Sequence, residues 1–277
     1  MKYTNKHGLP ESLVNAIGND NYDFIPDEKR ISVTQLINSP LVRKLKLKHG
    51  SEIEEDVMDN VWRLFGSAVH SVIERVDQKG SLKEERLEQE IDGITISGQA
   101  DLYHEKVIED YKVTSAWSLC YNPEGKEEWH RQLNVYAWLF RKAGHEVKKL
   151  RIVAILRDWD KKKVSPDNNY PMTPIVVVNV PLWTEAMQLA YIKDRIAIHQ
   201  TDHICTEKER WTTETTWAVK KTGVQKAKKV CQSEEEAIKW MGDQKGLYIE
   251  ERKGSDRRCE DYCSVNKWCP EYNKKER

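Results

Sequence analysis

Two aspartates and a lysine carry the clearest chemistry in this chain. Gly98 and Asp101 are followed, nine and eleven residues after Asp101, by Asp110 and Lys112. The stretch reads as two antiparallel strands turning at Glu105 and Lys106, which sets Asp101 opposite Asp110. Side chains alternate along a strand with period two, so Asp110 and Lys112 share a face. Carboxylates held that close repel, and both pKa values rise unless a cation compensates. A divalent metal compensates, and carboxylate oxygens are the hard ligands that Mg²⁺ or Mn²⁺ prefer. Such an ion lowers the pKa of bound water and stabilises charge building on a phosphate. Lys112 then positions or deprotonates the attacking water, or stabilises the developing charge. Taken alone, a D-x-K tripeptide is equally a charge pair on a solvent-facing hairpin, so its meaning depends on its companions.

The companions lie on both sides. Upstream, Gly66 precedes His70, which shares a helix face with Glu74 four residues on. Downstream, Gln132 and Tyr136 are spaced the same way. Glu90 stands on the strand that opens the meander and is either a further acid or part of a solvated acidic run. The order G-x-x-x-H, G-x-x-D, D-x-K, Q-x-x-x-Y resembles the RecB-type branch of the PD-(D/E)XK nuclease superfamily over roughly residues 31–180. The resemblance implies a restriction-endonuclease-like core, with a central mixed sheet flanked by helices, and metal-dependent hydrolysis of DNA phosphodiesters. It implies His70, Asp101 and Asp110 as metal ligands with the backbone carbonyl of Tyr111. It also implies Lys112 as the catalytic lysine, with Gln132 and Tyr136 supporting the site or contacting DNA. Strand parity favours Asp110 over Glu109 as the ligand.

Three of the six cysteines fall in the last twenty residues. Without disulfides, such a cluster points to metal. Cys259-x₃-Cys263-x₅-Cys269, followed by Pro270, is similar to the C-terminal cluster of iron–sulfur members of this branch, such as the AddB and CRISPR adaptation nucleases. The expected group is a [4Fe–4S] cluster or Zn²⁺. Those members space the first pair C-x₂-C and take a fourth cysteine from the N-terminal side of the core. Here Ser39 and Pro40 occupy the comparable place. Cys205 is the first choice for the missing ligand and Cys231 the second, while Cys120 reads as a buried thiol.

Composition sets the outer limits. The 277 residues carry 45 Lys and Arg against 45 Asp and Glu, a formal charge of zero. That excludes a strongly basic packaging protein and a disordered acidic tail. No apolar run approaches the roughly 20 residues of a membrane span, and the first residues lack an apolar signal region, so no membrane partner and a cytoplasmic setting are expected. The zero average hides segregation. Lys220, Lys221, Lys226, Lys228 and Lys229 fall in a stretch without acids, beside Trp211 and Trp217. This stretch is a candidate nucleic-acid surface, with lysines for phosphates and aromatics for bases. A small subdomain with tryptophans in its core fits it equally well.

The elements that must position these residues follow from caps and periodicity. Residues 1–30, interrupted by Pro10, Gly18 and Pro26, read as irregular. Ser32 caps a short helix, and Pro40 starts another. Ser51 and Glu54 form a capping box for a long helix through His70 to about Gly80. A meander follows over residues 88–113, then a helix from Trp129 to Lys142. Strands at residues 150–156 and 175–180 precede a helix capped by Thr184. Beyond residue 202 come short strands near Trp217 and Lys226, then a helix after Ser233. The expected organisation is an α/β nuclease core over residues 1–203 and a cysteine-bearing appendage over 204–277. The expected activity is that of a DNA nuclease, an exonuclease first. A non-catalytic DNA-binding scaffold and a metal-cluster interaction module are the alternatives.

Overall fold

One helix segment, Gln132 to Phe140, is buried at every residue, so the fold is built around it. The computed structural model describes residues 2–18, 27–76, 79–165 and 168–275; Pro26 lies outside them. Chain contacts divide the protein into two compact units, Met1–His203 and Ile204–Arg277.

The first unit opens with β1 (Lys2–Thr4) and α1 (Glu11–Gly18), so part of the stretch read as irregular is ordered. Next come β2 (Arg30–Ser32), α2 (Val33–Leu36), α3 (Pro40–His49) and β3 (Glu54–Asp56). Then follow α4 (Val61–Glu74), β4 (Leu82–Lys83), β5 (Arg86–Ile91), β6 (Ile94–Gln99), β7 (Leu102–His104) and β8 (Val107–Thr114). The unit closes with α5 (Ala116–Tyr121), α6 (Glu127–Lys142), β9 (Lys149–Leu156), β10 (Ile175–Val180) and α7 (Glu185–His199). Among the described residues a five-stranded mixed sheet runs β10-β9-β8-β7-β4, with β8 and β9 parallel and the other pairs antiparallel. A second sheet runs β2-β6-β5. The expected meander is therefore shared between two sheets, and the chain crosses from one to the other at Ala100 and Asp101.

Helix α6 is the centre of this unit. Trp129, Leu133, Val135, Tyr136, Ala137, Trp138, Leu139 and Phe140 are buried in one core with Ile96, Ile108, Leu150, Ile152 and Ile192. Its buried Asn134 is satisfied by accepting from the Trp183 amide and donating to the His130 and Pro181 carbonyls, which ties α6 to the segment entering α7. The caps at Ser32, with its Gln35 capping box, and at Thr184 form as expected.

The helix expected from Ser51 begins ten residues later, at Val61. Glu54–Asp56 instead pairs in parallel with Lys2–Thr4. The Lys2 amide donates to the Ile53 carbonyl, and buried Asp56 accepts from Thr4 Oγ1 and from the Lys6 and Met58 amides. This pairing with the N-terminal strand overrides the helical spacing of Ile53 and Val57.

In the second unit, α8 (Glu207–Arg210) precedes a three-stranded antiparallel sheet of β11 (Thr216–Lys221), β12 (Lys229–Cys231) and β13 (Leu247–Arg252) in the order β12-β11-β13. Helix α9 (Glu234–Met241), capped by Ser233, lies between β12 and β13 in the chain. The tail forms α10 (Arg257–Asp261) and α11 (Pro270–Lys275). The buried core of this sheet is small, made of Val219, Cys231 and Ala237.

Candidate metal and nuclease centre

The hairpin of β7 and β8 sets the site. Leu102 pairs with Glu109 and His104 with Val107, and the same register continued one residue puts Asp101 opposite Asp110. The turn residues Glu105 and Lys106 both take positive φ, 46° and 67°, as the tight two-residue hairpin turn requires. The Asp101 carboxylate accepts from the Tyr111 amide at 2.6 Å, which locks the acid to the strand that carries its partner.

Asp110 is buried, at 1% exposure. Lys112, two residues along the same face, sets its Nζ 2.7 Å from Asp110 Oδ2. The contact is a close ion pair with the lysine ammonium facing a buried carboxylate oxygen. Burial pushes the Asp110 carboxyl well above the ordinary range, with Asp101 adding to it and Lys112 and His70 opposing it. Burial also penalises the Lys112 ammonium, but Asp110 and Asp101 outweigh it and hold the lysine pKa above its usual value.

Helix α4 brings His70 to this place. Its Nε2 lies 3.2 Å from the Tyr111 carbonyl, and its Nδ1 lies 3.3 Å from Asp101 and 3.6 Å from Glu84. The hydrogen bond to Asp101 raises the His70 pKa to about 9 against the opposing effect of burial. One donor atom each from His70, Glu84 and Asp101 lie within 4.8 Å of one another. One imidazole with several carboxylates and a carbonyl is a donor set suited to a divalent cation such as Mg²⁺ or Mn²⁺. The buried Asp110 carboxylate at the same hairpin, with Lys112 as its charge partner, adds a further oxygen donor.

Glu84 was not singled out by the sequence. It sits between β4 and β5 with φ 46°, and its amide donates to the Asp101 carbonyl. Gln99 Nε2 donates to its carboxylate at 3.0 Å. Its sequence signal is its membership of the acidic run from residue 84 to 92, in which Glu90 drew attention instead. Gln132 and Tyr136 form a buried pair on α6, with Gln132 Nε2 donating to Tyr136 Oη at 2.9 Å. Tyr136 lies over Gly98, where a Cβ would come within 2.9 Å of its ring and within 2.7 Å of Leu139 and Val33. Gly98 is thus the gap through which α6 closes on β6.

In the second unit, Cys205, Cys263 and Cys269 lie near enough to Cys259 to act on its charge, but no three of these thiols come within 4.8 Å of one another. Burial pushes the Cys259 thiol up to about 11, with Cys263, Asp256, Cys205 and Cys269 all adding to the shift. The tail folds through tight turns at its cysteines, since the Asn266 amide donates to Cys263 and the Cys269 amide to Asn266. Arg210 ties Cys205 to the tail by donating to the Cys205 carbonyl and pairing with Asp256 at 3.1 Å. Cys231 lies elsewhere, in the small core under β11, and Cys120 packs against the main core of the first unit. None of the six is in a disulfide.

Of the five lysines expected to face nucleic acid, Lys220 pairs with Glu250 at 2.9 Å, so its charge is already matched. Lys221, Lys226, Lys228 and Lys229 are exposed. Trp217 packs on the small core, while exposed Trp211 carries the Arg258 guanidinium 5.6 Å from its ring centre. No described helix is long and apolar enough to cross a membrane.

No model of a known protein family matches the chain, and no curated protein does. Among solved structures, SSO0001 is similar at 18% identity over 69% of this chain and 85% of its own, with a TM-score of 0.45. An alkaline exonuclease from Laribacter hongkongensis is similar at 10% identity over 62% of this chain and 86% of its own, with a TM-score of 0.37. A phage-related exonuclease from Haemophilus somnus 129PT is similar at 17% identity over 59% and 70%, with a TM-score of 0.28.

Proposed function

We propose that this chain is a divalent-metal-dependent deoxyribonuclease, an exonuclease of recombination, repair or phage DNA metabolism. One observation carries the reading: Asp101 and Asp110 face each other across a locked hairpin with Lys112, His70 and Glu84 around them. Lys112 and His70 are the basic side chains that face these acids, and the Tyr111 amide and Gln99 donate to Asp101 and Glu84. His70, Glu84, Asp101, Asp110 and the Tyr111 carbonyl would hold Mg²⁺ or Mn²⁺. When bound, the ion supplies an acidified water and offsets charge on the scissile phosphate. The chain's own groups do the rest. Asp110 and Asp101 keep Lys112 protonated, which suits it to stabilise charge on the phosphate and to orient the attacking water rather than to remove its proton. The Asp101–Tyr111 bond holds the ligands in register, and Gln132 and Tyr136 support the site from α6.

The test uses end-labelled single- and double-stranded DNA with Mg²⁺, Mn²⁺ or EDTA. Cleavage that needs the metal and is lost in Asp110→Ala and Lys112→Ala supports the reading. Metal-independent DNA binding without cleavage under any divalent ion would make the chain a scaffold of the same fold.

For the second unit, we infer that Cys205, Cys259, Cys263 and Cys269 bind a [4Fe–4S] cluster or Zn²⁺. The support is the electrostatic reach of Cys205, Cys263 and Cys269 on Cys259 and the separate burial of Cys231, and metal binding would have to draw the four sulfurs closer than they stand. Metal and labile-sulfide analysis of anaerobically purified protein separates the two groups. Loss of metal in Cys231→Ser but not in Cys205→Ser would overturn the assignment.

A further inference from the structure

Helix α4 has an outer face of unusual composition. Trp62 is 54% exposed and Phe65 is 51% exposed, and their ring centres are 5.6 Å apart. The guanidinium of exposed Arg157 stands 4.3 Å from the Trp62 ring centre, a stacked cation. An isolated exposed apolar residue needs no explanation. Two large aromatics paired side by side under an arginine are a different matter, because water solvates the ring faces poorly and the pair has no core to enter.

The position of this pair narrows its use. Trp62 precedes His70 by eight residues on the same helix, about 12 Å along its axis at 1.5 Å per residue. Arg157 follows β9 directly, and its amide donates to the carbonyl of Thr114 at the end of β8, two residues beyond Lys112. The platform therefore lies past the C-terminal ends of the two parallel strands, on the side toward which the Asp110 to Lys112 strand runs. The next residue, Asp158, accepts from the Ala116 amide at 2.6 Å and so fixes the start of α5 at the same corner. Helix α5 carries two more exposed rings, Trp117 at 46% and Tyr121 at 80%, with centres 6.3 Å apart. Exposed Lys161, Lys162 and Lys163 follow in the same loop, in the turn capped by Asp160.

We propose that Trp62 and Phe65, with Arg157, form a stacking site for unpaired bases of the DNA strand that enters the metal centre. This rests on the nuclease reading and names its substrate as single-stranded or frayed DNA. Bases stack on exposed aromatic faces without regard to sequence, while arginine and lysine beside them hold the phosphates. A duplex end keeps its bases stacked on each other and offers them poorly to a flat platform. Trp62 and His70 stand about two turns apart on one helix, so the stacked bases belong to the same strand that continues toward the metal centre. A protein surface covering the apolar face would have no need of the stacked arginine and the run of lysines.

The experiment measures binding of fluorescent oligonucleotides in EDTA, where cleavage is absent. Trp62→Ala/Phe65→Ala should bind a single strand at least tenfold more weakly than wild type, while Trp62→Phe stays within about threefold of wild type. The loss on a duplex with covalently closed ends should be at least fivefold smaller than on the single strand. A strand with abasic sites keeps its phosphates and loses its bases, so wild type and the double variant should bind it alike. Equal single-strand affinity of wild type and the double variant would overturn the proposal. So would an equal loss on the abasic strand, or a loss of self-association in place of a loss of DNA binding. The two readings fail separately. Stacking-dependent binding in EDTA with no cleavage under Mg²⁺ or Mn²⁺ removes the nuclease and keeps the site, whereas metal-dependent cleavage unaffected by the double variant does the reverse.

Discussion

The carboxylate hairpin and the cysteine tail both gather ligand-type side chains, and they do so by opposite means. At the hairpin, β8 is paired along its whole length with β9, from Val107 with Lys149 to Thr114 with Leu156. The strands lie against the core that centres on α6. The burial of Asp110 and the raised pKa values of Asp110, Lys112 and His70 follow from that frame. The tail has short helices, turns anchored at Cys263 and Cys269, buried Val265, and side-chain bonds from Arg210 and Thr212 to Asp256 and from Arg258 to the Glu209 carbonyl. The comparison teaches that the hairpin's acids are positioned by a fully paired strand backed by the main core, whereas the tail's cysteines stand on short helices and turns.

The largest expected effect tests the first half of that statement. Asp110→Asn keeps the side chain's shape and removes the charge that a cation and Lys112 both require. It should lower kcat/KM on end-labelled DNA by about 10³-fold, the scale of a lost general acid–base or metal contribution, while thermal unfolding shifts by only a few degrees. Unfolding of the variant at the assay temperature would mean that the fold depends on this charge and would erase the contrast with the tail.

Cys259→Ser tests the second half. If the four thiols bind metal, that binding is part of the folding free energy of the small unit. The variant should lose the tail's metal and on the order of 3 kcal/mol of stability in that unit, read as faster proteolysis within residues 204–277. The same treatment should leave the protease resistance of residues 31–203 unchanged. A metal-free variant with wild-type resistance would show that the tail is held by its turns, buried Val265 and the bonds of Arg210, Thr212 and Arg258 without metal.

The two regions also differ in how much of them the sequence discloses. The hairpin is legible because each part is local: Asp101, the Glu105–Lys106 turn and the alternation of Asp110 and Lys112 span twelve residues. The caps at Ser32, Thr184 and Ser233 are local as well. The helix start near Ser51 is misread because what decides it is the pairing of Glu54–Asp56 with Lys2–Thr4, some fifty residues earlier. Glu84 is missed for a related reason. It reaches His70 from a left-handed turn between strands that belong to different sheets, and no period in the sequence records that crossing. The link from Cys205 to a tail more than fifty residues away runs through Arg210 and Asp256, charged residues with no motif to mark them.

Gly98→Ala sharpens the claim that the core positions the first site. The added Cβ would meet Val33, Leu139 and Tyr136 at 2.7–2.9 Å, and all three are buried, so none can swing aside into solvent. Overpacking of this kind costs about 1–3 kcal/mol. Because Tyr136 is one of the three, the shift should also disturb its bond to Gln132 and lower activity more than stability alone predicts. A variant with wild-type melting and wild-type activity would show that α6 can move off β6 without consequence for the site.

A smaller effect separates the first unit from the tail by pH. His199, at the end of α7, lies 3.2 Å through Nε2 from the Leu36 carbonyl, and its Nδ1 is buried without a hydrogen bond. Burial, reinforced by Arg195 and Arg43 and opposed by the Leu36 bond, lowers its pKa from 6.5 to about 4. The imidazole is therefore neutral when folded, with Nε2–H donating to Leu36. In the unfolded chain it takes a proton near 6.5. Between those values the unfolded state binds more protons, so stability falls as the pH drops. The contribution is complete above about pH 6.5 and is lost toward pH 4, on the order of 2 kcal/mol after discounting for partial exposure. The buried Cys259 thiol, with its pKa about 11, does not titrate in this window. Acid between pH 6.5 and 4 should thus weaken the first unit through His199 and not the tail through its thiols. Urea unfolding of wild type and His199→Asn across that range measures the difference. The variant's profile should be flatter by that amount, and parallel profiles would mean that His199 is protonated in the folded protein and that the α2–α7 contact tolerates its charge.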